Sequence, residues 1–461
     1  MLHMQNEFGS FSKIFRILLC LFFAMYVCGW FFTMHLAAIQ KEKSIQPILP
    51  VLREDSEEYA ALSESLLLRQ SFTQDGKIET LRAPGYPAFI ALLRSSIDSF
   101  FLVTAVQVVL VFISAIFVRK LGIFFASKRV GEIAAILFLS NPVTFYLSLV
   151  ILTDVPFLFL LICGFYLVVS NRRISTIIIA SILFGFAVYV RPMGIFALPI
   201  FITPVLVSGR QTRQKVFSVS MLAVIIALMI FPWMYRNYRS VGVFDFTSFK
   251  AINLAFYVAP MFLSHLHHTG VTDERARIER ETGIPQEKWK ELAYSAPLSA
   301  AAEKIILAHP FSYALYHAES SLPFLFASPI QEVLNSYRAS LDVRVPFETG
   351  SIGHLVNREW GLFFQSITKD WWKLLERLLM GFAYLIAAYG FFTQRRNPLA
   401  WAFIFIPAYL MLLSGPAANA RYAIQASPFL LLLFAAGILR LVDRLRVLRY
   451  NEVSHEKGNS D

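Results

Sequence analysis

The chain has 461 residues, of which 56% are hydrophobic and only 16% charged, with a mean hydropathy of +0.56. That balance excludes a water-soluble globular domain, in which about a quarter of residues are charged. The net charge of +11 would suit a nucleic-acid partner if it formed one basic face; here the charges sit in short connectors between apolar runs, so no nucleic acid is expected.

Those apolar runs, about 17–25 residues each, are long enough to cross a bilayer as helices, and the expected fold is an all-α polytopic membrane protein. Lys13 and Arg16 precede the first run, which reaches about Ile39 and is longer than the apolar part of a cleaved signal peptide; it reads as an uncleaved signal anchor. Spans are placed at about 14–38, 100–118, 130–148, 155–170, 174–190, 194–208, 216–232, 376–392, 399–413 and 425–441, which makes about ten transmembrane helices with no interrupted helix pair and no internal repeat.

Orientation follows from the connectors. Eighteen lysines and arginines fall on one side: Lys13, Arg16, Arg119, Lys120, Lys128, Arg129, Arg172, Arg173, Arg210, Arg213, Lys215, Arg395, Arg396, Arg440, Arg444, Arg446, Arg449 and Lys457. The opposite short turns hold only Arg191 and Arg421. The positive-inside rule then makes both termini cytoplasmic. The expected organisation is a cytoplasmic N-terminus (1–13), an N-terminal transmembrane module (14–232) with a first outward loop (40–99), an extracytoplasmic loop or cap (233–375), C-terminal transmembrane helices (376–441) and a cytoplasmic tail (442–461). The cap carries turn and helix signals at Thr282-Gly283-Ile284-Pro285 and from Gln286 to Tyr294, and the polar end from Asn451 to Asp461 is expected to be disordered. Reporter fusions after Lys120, Arg173, Arg213 and Arg396 should read cytoplasmic, and fusions near residues 70 and 300 should read outside; a cytoplasmic signal at 70 would overturn this topology.

The first outward loop holds the leading candidate. Asp55 and Tyr59 are four apart and share a helical face with Leu62 and Leu66. Gly76 reads as the helix breaker, and Arg82-Ala83-Pro84-Gly85-Tyr86-Pro87 as a proline-clamped turn. A carboxylate held at the membrane surface between two spans is costly unless used, which puts Asp55 against a lipid-borne substrate. Glu54, Glu57 and Glu58 read as a solvated face, with Glu58 near enough to perturb Asp55.

Asp154, in Leu152-Thr153-Asp154-Val155-Pro156, is the only acid between Glu132 and Asp245. It reads either as a plain helix N-cap or as a cap with a functional role. Arg191 and Arg421, on the outward side, read either as snorkelling to headgroups or as guanidiniums gripping a phosphate bidentately. Arg236 and Asn237 lie on the same face, where Trp233 and Tyr235 read as interfacial belt residues. Cys20, Cys28 and Cys163 lie in apolar runs without metal spacing and read as small core residues. His265, His267 and His268 cluster without a second ligand group at metal spacing. Nucleotide-binding and zinc-protease motifs are missing from the sequence.

Taken in order, Asp55-x-x-Glu58-Tyr59, Arg82 to Pro87, Asn141-Pro142 with Leu152-Thr153-Asp154, Pro232-Trp233-x-x-Arg236-Asn237 and Arg421-Tyr422 resemble the GT-C superfamily of membrane glycosyltransferases. Within it they are most similar to bacterial relatives of the dolichyl-phosphate-mannose protein mannosyltransferases and the lipid A aminoarabinose transferases. The resemblance runs from about 14 to 441 and rests on the order of the motifs rather than on any one of them. It implies a GT-C-like arrangement with two larger extracytoplasmic loops in the cell's inner membrane, and transfer of a sugar from a polyprenyl-phosphate donor to a lipid, glycan or protein acceptor outside. Asp55 and Asp154 would be catalytic; Tyr59, Arg82, Tyr86, Arg191, Arg236, Asn237, Arg421 and Tyr422 would bind substrate. Ser56 stands where the eukaryotic members have a second acid beside the first.

The residues fit that chemistry on their own terms. A polyprenyl phosphate is already a good leaving group, so the needs are a base for the acceptor (Asp55, with Asp154 orienting the acceptor or the base) and positive charge for the phosphate (Arg191, Arg236 and Arg421). No cofactor is required by this reading, although a divalent cation stays open. The rival from another class is a flippase or transporter for polyprenyl-linked lipids, against which the charges sit at one face rather than at the midplane.

Overall fold

The computed structural model describes residues 11–41, 54–340, 354, 358–369 and 371–458. The chain is an all-α polytopic membrane protein, with a single two-stranded hairpin among the described residues. Helix α1 (Lys13–Lys41) leads to the first loop, which contributes α2 (Glu54–Arg69), the hairpin β1 (Thr73–Gln74) and β2 (Lys77–Ile78), and α3 (Gly85–Ser96). Next come α4 (Phe100–Phe125), α5 (Lys128–Ser140), α6 (Pro142–Ser148), α7 (Asp154–Ser170) and α8 (Ile174–Val190). A 3₁₀ turn, Pro192–Ala197, enters α9 (Leu198–Val207), and α10 is Thr212–Val241.

Local chemistry sets these boundaries. Ser99 and Ser127 cap α4 and α5 by accepting from Phe101 and Val130 backbone N–H groups. Asn141 caps α6 the same way, ahead of Pro142 at the first helical position. Proline there has no N–H to continue α5, so the 130–148 span is broken by 62° at Asn141-Pro142. This is an interrupted helix that the sequence pattern does not reveal. In the first loop, α2 ends at Arg69 with Gln70 left-handed (φ 51°), while Gly76 instead forms the hairpin turn with Asp75, both at positive φ.

Residues 249–340 form a second helical layer: α11 (Phe249–Ile252), a π-helical segment Asn253–Val258, α12 (Ala259–His267), α13 (Val271–Thr282), α14 (Ser295–Ala308), α15 (Pro310–Ser320), α16 (Pro323–Phe326) and α17 (Pro329–Ser340). It has its own small core of Ala251, Ala255, Ala259, Ile278, Ile284, Trp289, Leu298 and Ala302. The chain then forms α18 (Trp360–Lys369), α19 (Trp371–Gln394), α20 (Pro398–Ser414) and α21 (Ser427–Gly458). Helix α21 runs through most of the polar end expected to be disordered.

Among the described residues α1, α4, α10 and α19 are long and apolar enough to cross a membrane, with α5–α6 a fifth if taken as one bent span; α7, α8, α20 and the Pro192–Val207 pair are shorter apolar helices. α7, at about 1.5 Å per residue, falls short of a ~30 Å hydrocarbon core, and it lies largely buried among other helices. Of the cysteines, Cys163 is buried as expected, whereas Cys20 and Cys28 lie on the exposed face of α1.

Candidate active site

Six charged side chains alternate in sign at one end of the bundle. Arg82 donates from Nε to Glu58 Oε2 at 2.7 Å and from Nη2 to Asp55 Oδ1 at 2.7 Å. Arg421 donates from Nη1 to Asp55 Oδ2 at 3.1 Å and from Nε to Asp154 Oδ2 at 2.8 Å. Arg191 completes the row, donating from Nη1 to Asp154 Oδ1 at 2.5 Å. Three carboxylates and three guanidiniums balance. Arg191 and Arg421 are buried in carboxylate pairs rather than extended to headgroups, so snorkelling does not explain them.

The two aspartates differ in access. Asp154 is fully buried and does not cap α7: Thr153 is the residue before the helix, and the Asp154 carboxylate faces Arg191, Arg421 and the Gln425 amide, whose Nε2 donates at 3.1 Å. Asp55 keeps 31% of its side chain exposed and lines a cavity of about 70 Å³ with Tyr59, Arg82, Thr153, Arg191, Pro192, Met193, Phe249, Asn253, Leu413, Ser414, Arg421 and Tyr422. Burial pushes the Asp55 carboxyl up, but the Arg82 and Arg421 charges outweigh it and hold it at about 2. Burial likewise opposes the Arg421 charge, and Asp154, Tyr422 and Asp55 more than restore it.

Aromatic rings and one amide fix the frame. The Tyr59 ring lies 5.1 Å from the Arg82 guanidinium carbon, and the Tyr422 ring 5.1 Å from that of Arg191. Tyr86 packs edge-on against Tyr59 and donates its O–H to Gln107 Oε1 at 2.7 Å. Gln107 Nε2 in turn donates to the Val150 carbonyl at 2.7 Å, tying the first loop to the turn that presents Asp154. Arg421 sits on a loop whose start is pinned: Gly415 has φ +47°, and a Cβ there would meet the His317 ring at 2.6 Å.

Arg236 and Asn237 stand apart from the cavity lining. Arg236, within α10 rather than beyond it, donates to the Phe72 and Glu79 carbonyls, and Asn237 donates to the Asp245 and Phe246 carbonyls. Both tie backbone together. Glu58 is no solvated acid, since Lys290 also donates to it at 2.9 Å and links the second layer to the first loop. Thr153, Phe249, Asn253 and Gln425 were not read from the sequence. The helical positions of Phe249 and Asn253 carry no signal, but Gln425, four residues beyond Arg421, shares its polar exception in an apolar stretch.

Among the described residues no group of three or more His, Cys, Asp or Glu side chains converges. All four oxygens of Asp55 and Asp154 already accept from guanidinium or amide donors.

Fold and site together define a polytopic helical membrane protein with a buried arginine–carboxylate row open to a small cavity. No family model matches the chain, and no curated protein matches it. Among solved structures it is similar to the archaeal oligosaccharyltransferase AglB from Archaeoglobus fulgidus in complex with an inhibitory peptide and a dolichol-phosphate, at 13% identity and a TM-score of 0.49, covering 94% of this chain and 52% of that one. It is also similar to ArnT from Cupriavidus metallidurans bound to undecaprenyl phosphate, at 12% identity and a TM-score of 0.41, covering 91% of this chain and 77% of that one. The chain spans about half the length of the oligosaccharyltransferase, 52%.

Proposed function

We propose that the chain is an inverting glycosyltransferase that moves a sugar from a polyprenyl-phosphate donor to a lipid, glycan or protein acceptor on the extracytoplasmic side of the cytoplasmic membrane, with both termini cytoplasmic. The observation that carries this reading is Asp55: one carboxylate open to a cavity, held between two arginines that a phosphate could share. The acceptor hydroxyl oxygen attacks the anomeric carbon while the carbon–oxygen bond to phosphate breaks. The electron pair leaves with the phosphate, and the acceptor proton passes to Asp55. Arg421 is the natural group to receive the leaving charge, because its contact to Asp55 is longer than its contact to Asp154. Asp154, shut off from the cavity, is a positioning residue that keeps Arg191 and Arg421 charged and aimed.

The low Asp55 value gives a pH signature. Its folded value of about 2 lies below its ordinary 3.8. Its contribution to stability is therefore full above pH ~4 and lost as pH falls toward 2. The free enzyme keeps its base ionised through the same range, so kcat/KM should be flat from pH ~4 to neutrality with respect to this group. The limb in kcat should lie higher, because donor phosphate draws Arg421 away and the carboxyl rises. A kcat/KM limb between pH 5 and 7 would assign the base elsewhere.

The 62° break at Asn141-Pro142 favours one second reading, a flippase, since broken helices mark transporter sites. Mass spectrometry of lipid-linked sugars, lipid A and envelope glycans in a deletion strain tests the choice. A transferase predicts a donor that accumulates and a glycan lacking one sugar. Purified protein that moves donor lipid between leaflets yet forms no glycosylated product would decide for the flippase.

A further inference from the structure

We propose that the knuckle between α14 and α15 is a membrane-interface anchor, which inserts Leu307, Phe311 and Leu315 into the bilayer that α20 enters. The three side chains are 72%, 90% and 58% exposed. Phe311 and Leu315 are four apart in α15 and share a face; Leu307 precedes them in the last turn of α14. Single exposed apolar residues are ordinary, but this stretch is different. From Ile305 to Ala318 there is no Lys, Arg, Asp or Glu, and Lys304 and Glu319 bound it. An apolar, charge-free projection of this kind marks an interaction surface.

The inner face of α15 is already occupied. Tyr316 is buried, its ring tilted against His265 at 4.9 Å and Phe262 at 5.6 Å, and Tyr313 packs edge-on against Phe262 at 5.3 Å. The stripe is therefore the outer face of a packed helix. Its height relative to the membrane follows from His317. Its Nε2 donates to the Leu412 carbonyl at 2.9 Å, and the Tyr313 hydroxyl donates to its Nδ1 at 3.0 Å. Leu412 belongs to the last turns of the apolar helix α20 and is itself exposed, continuing the surface that Trp401 and Phe405 present on that helix. Phe311 precedes His317 by six residues, about 9 Å along a helix. The headgroup zone is about 5–8 Å deep per leaflet. The helix that carries the stripe is hydrogen-bonded to the apolar helix that exposes Trp401, Phe405 and Leu412, so the occupant the stripe fits is lipid.

The test uses the full chain with Cys20, Cys28 and Cys163 replaced by serine, reconstituted in phosphatidylcholine–phosphatidylglycerol vesicles. Leu307→Cys, Phe311→Cys and Leu315→Cys each receive a nitroxide label, with Arg280→Cys on exposed α13 as the aqueous reference. The three stripe positions should show an oxygen-to-nickel-chelate accessibility ratio several-fold above the reference. Equal ratios at all four positions would overturn the anchor. Labels shielded from both reagents would overturn it too, since they would mean that a second copy or residues 341–353 of this chain cover the stripe. Each position reports independently, so one poorly inserting variant leaves the proposal open to refutation.

Discussion

Asp154→Asn is expected to reduce sharply the amount of folded protein recovered from membranes. The Asp154 carboxylate is fully buried and takes donors from Arg191, Arg421 and Gln425. Asparagine fits the space and keeps one acceptor oxygen, but it removes the charge and turns an N–H₂ toward guanidinium groups. Arg191 then has no carboxylate, and Arg421 keeps only its longer contact to Asp55. Leaving one partner of a buried ion pair uncompensated costs about 3–5 kcal/mol, a large share of the roughly 5–15 kcal/mol that holds a typical domain. Thermal unfolding in detergent measures this, with Asp55→Asn as the matched control. Removing both charges of the pair, as in Asp154→Leu with Arg191→Met, should recover part of the loss, because the orphaned cation is the larger penalty. Wild-type unfolding behaviour in Asp154→Asn would show that the Asp154 contacts do not hold the site together.

The residues that carry this argument were visible in the sequence because they break its pattern. Asp154 is an acid in an apolar stretch, and Arg191 and Arg421 lie in short turns away from the connectors that hold most of the other lysines and arginines. Their pairing was not visible. Arg421 meets Asp154 across 267 positions and Asp55 across 366, and no local spacing encodes such contacts. A cap reading for Asp154 and snorkelling for the arginines were reasonable local explanations, and both gave way to long-range ion pairs. The helices followed from apolar run length, but their breaks did not. In a stretch apolar on every face, periodicity has nothing to report, so the bend at Asn141-Pro142, which only the proline signals, was missed. Arg236 keeps its place in the motif order, while its donors hold the Phe72 and Glu79 carbonyls and it is not among the residues that line the cavity.

Asp55→Asn should separate chemistry from binding. The substitution removes proton acceptance with almost no change in size, so sugar transfer should fall by the roughly 10²–10⁴-fold that a positioned base supplies. Folding should be little affected. Asparagine can still accept from Arg82, which keeps Glu58, and Arg421 keeps Asp154. Binding of the donor's phosphate should move the other way. On the proposed mechanism Asp55, bound to Arg82 and Arg421 in the wild-type protein, would compete with phosphate for them; without its charge both guanidiniums would face the cavity less neutralised. Undecaprenyl phosphate, titrated against purified protein, should therefore bind the variant as tightly as wild type or more tightly, while turnover collapses. That opposition distinguishes a base from a structural residue, whose loss would weaken both. Near-normal turnover in Asp55→Asn at matched expression would remove the base from this position. Weakened phosphate binding alongside lost turnover would mean that Asp55 serves to orient Arg82 and Arg421, and the proton would need another acceptor at the cavity.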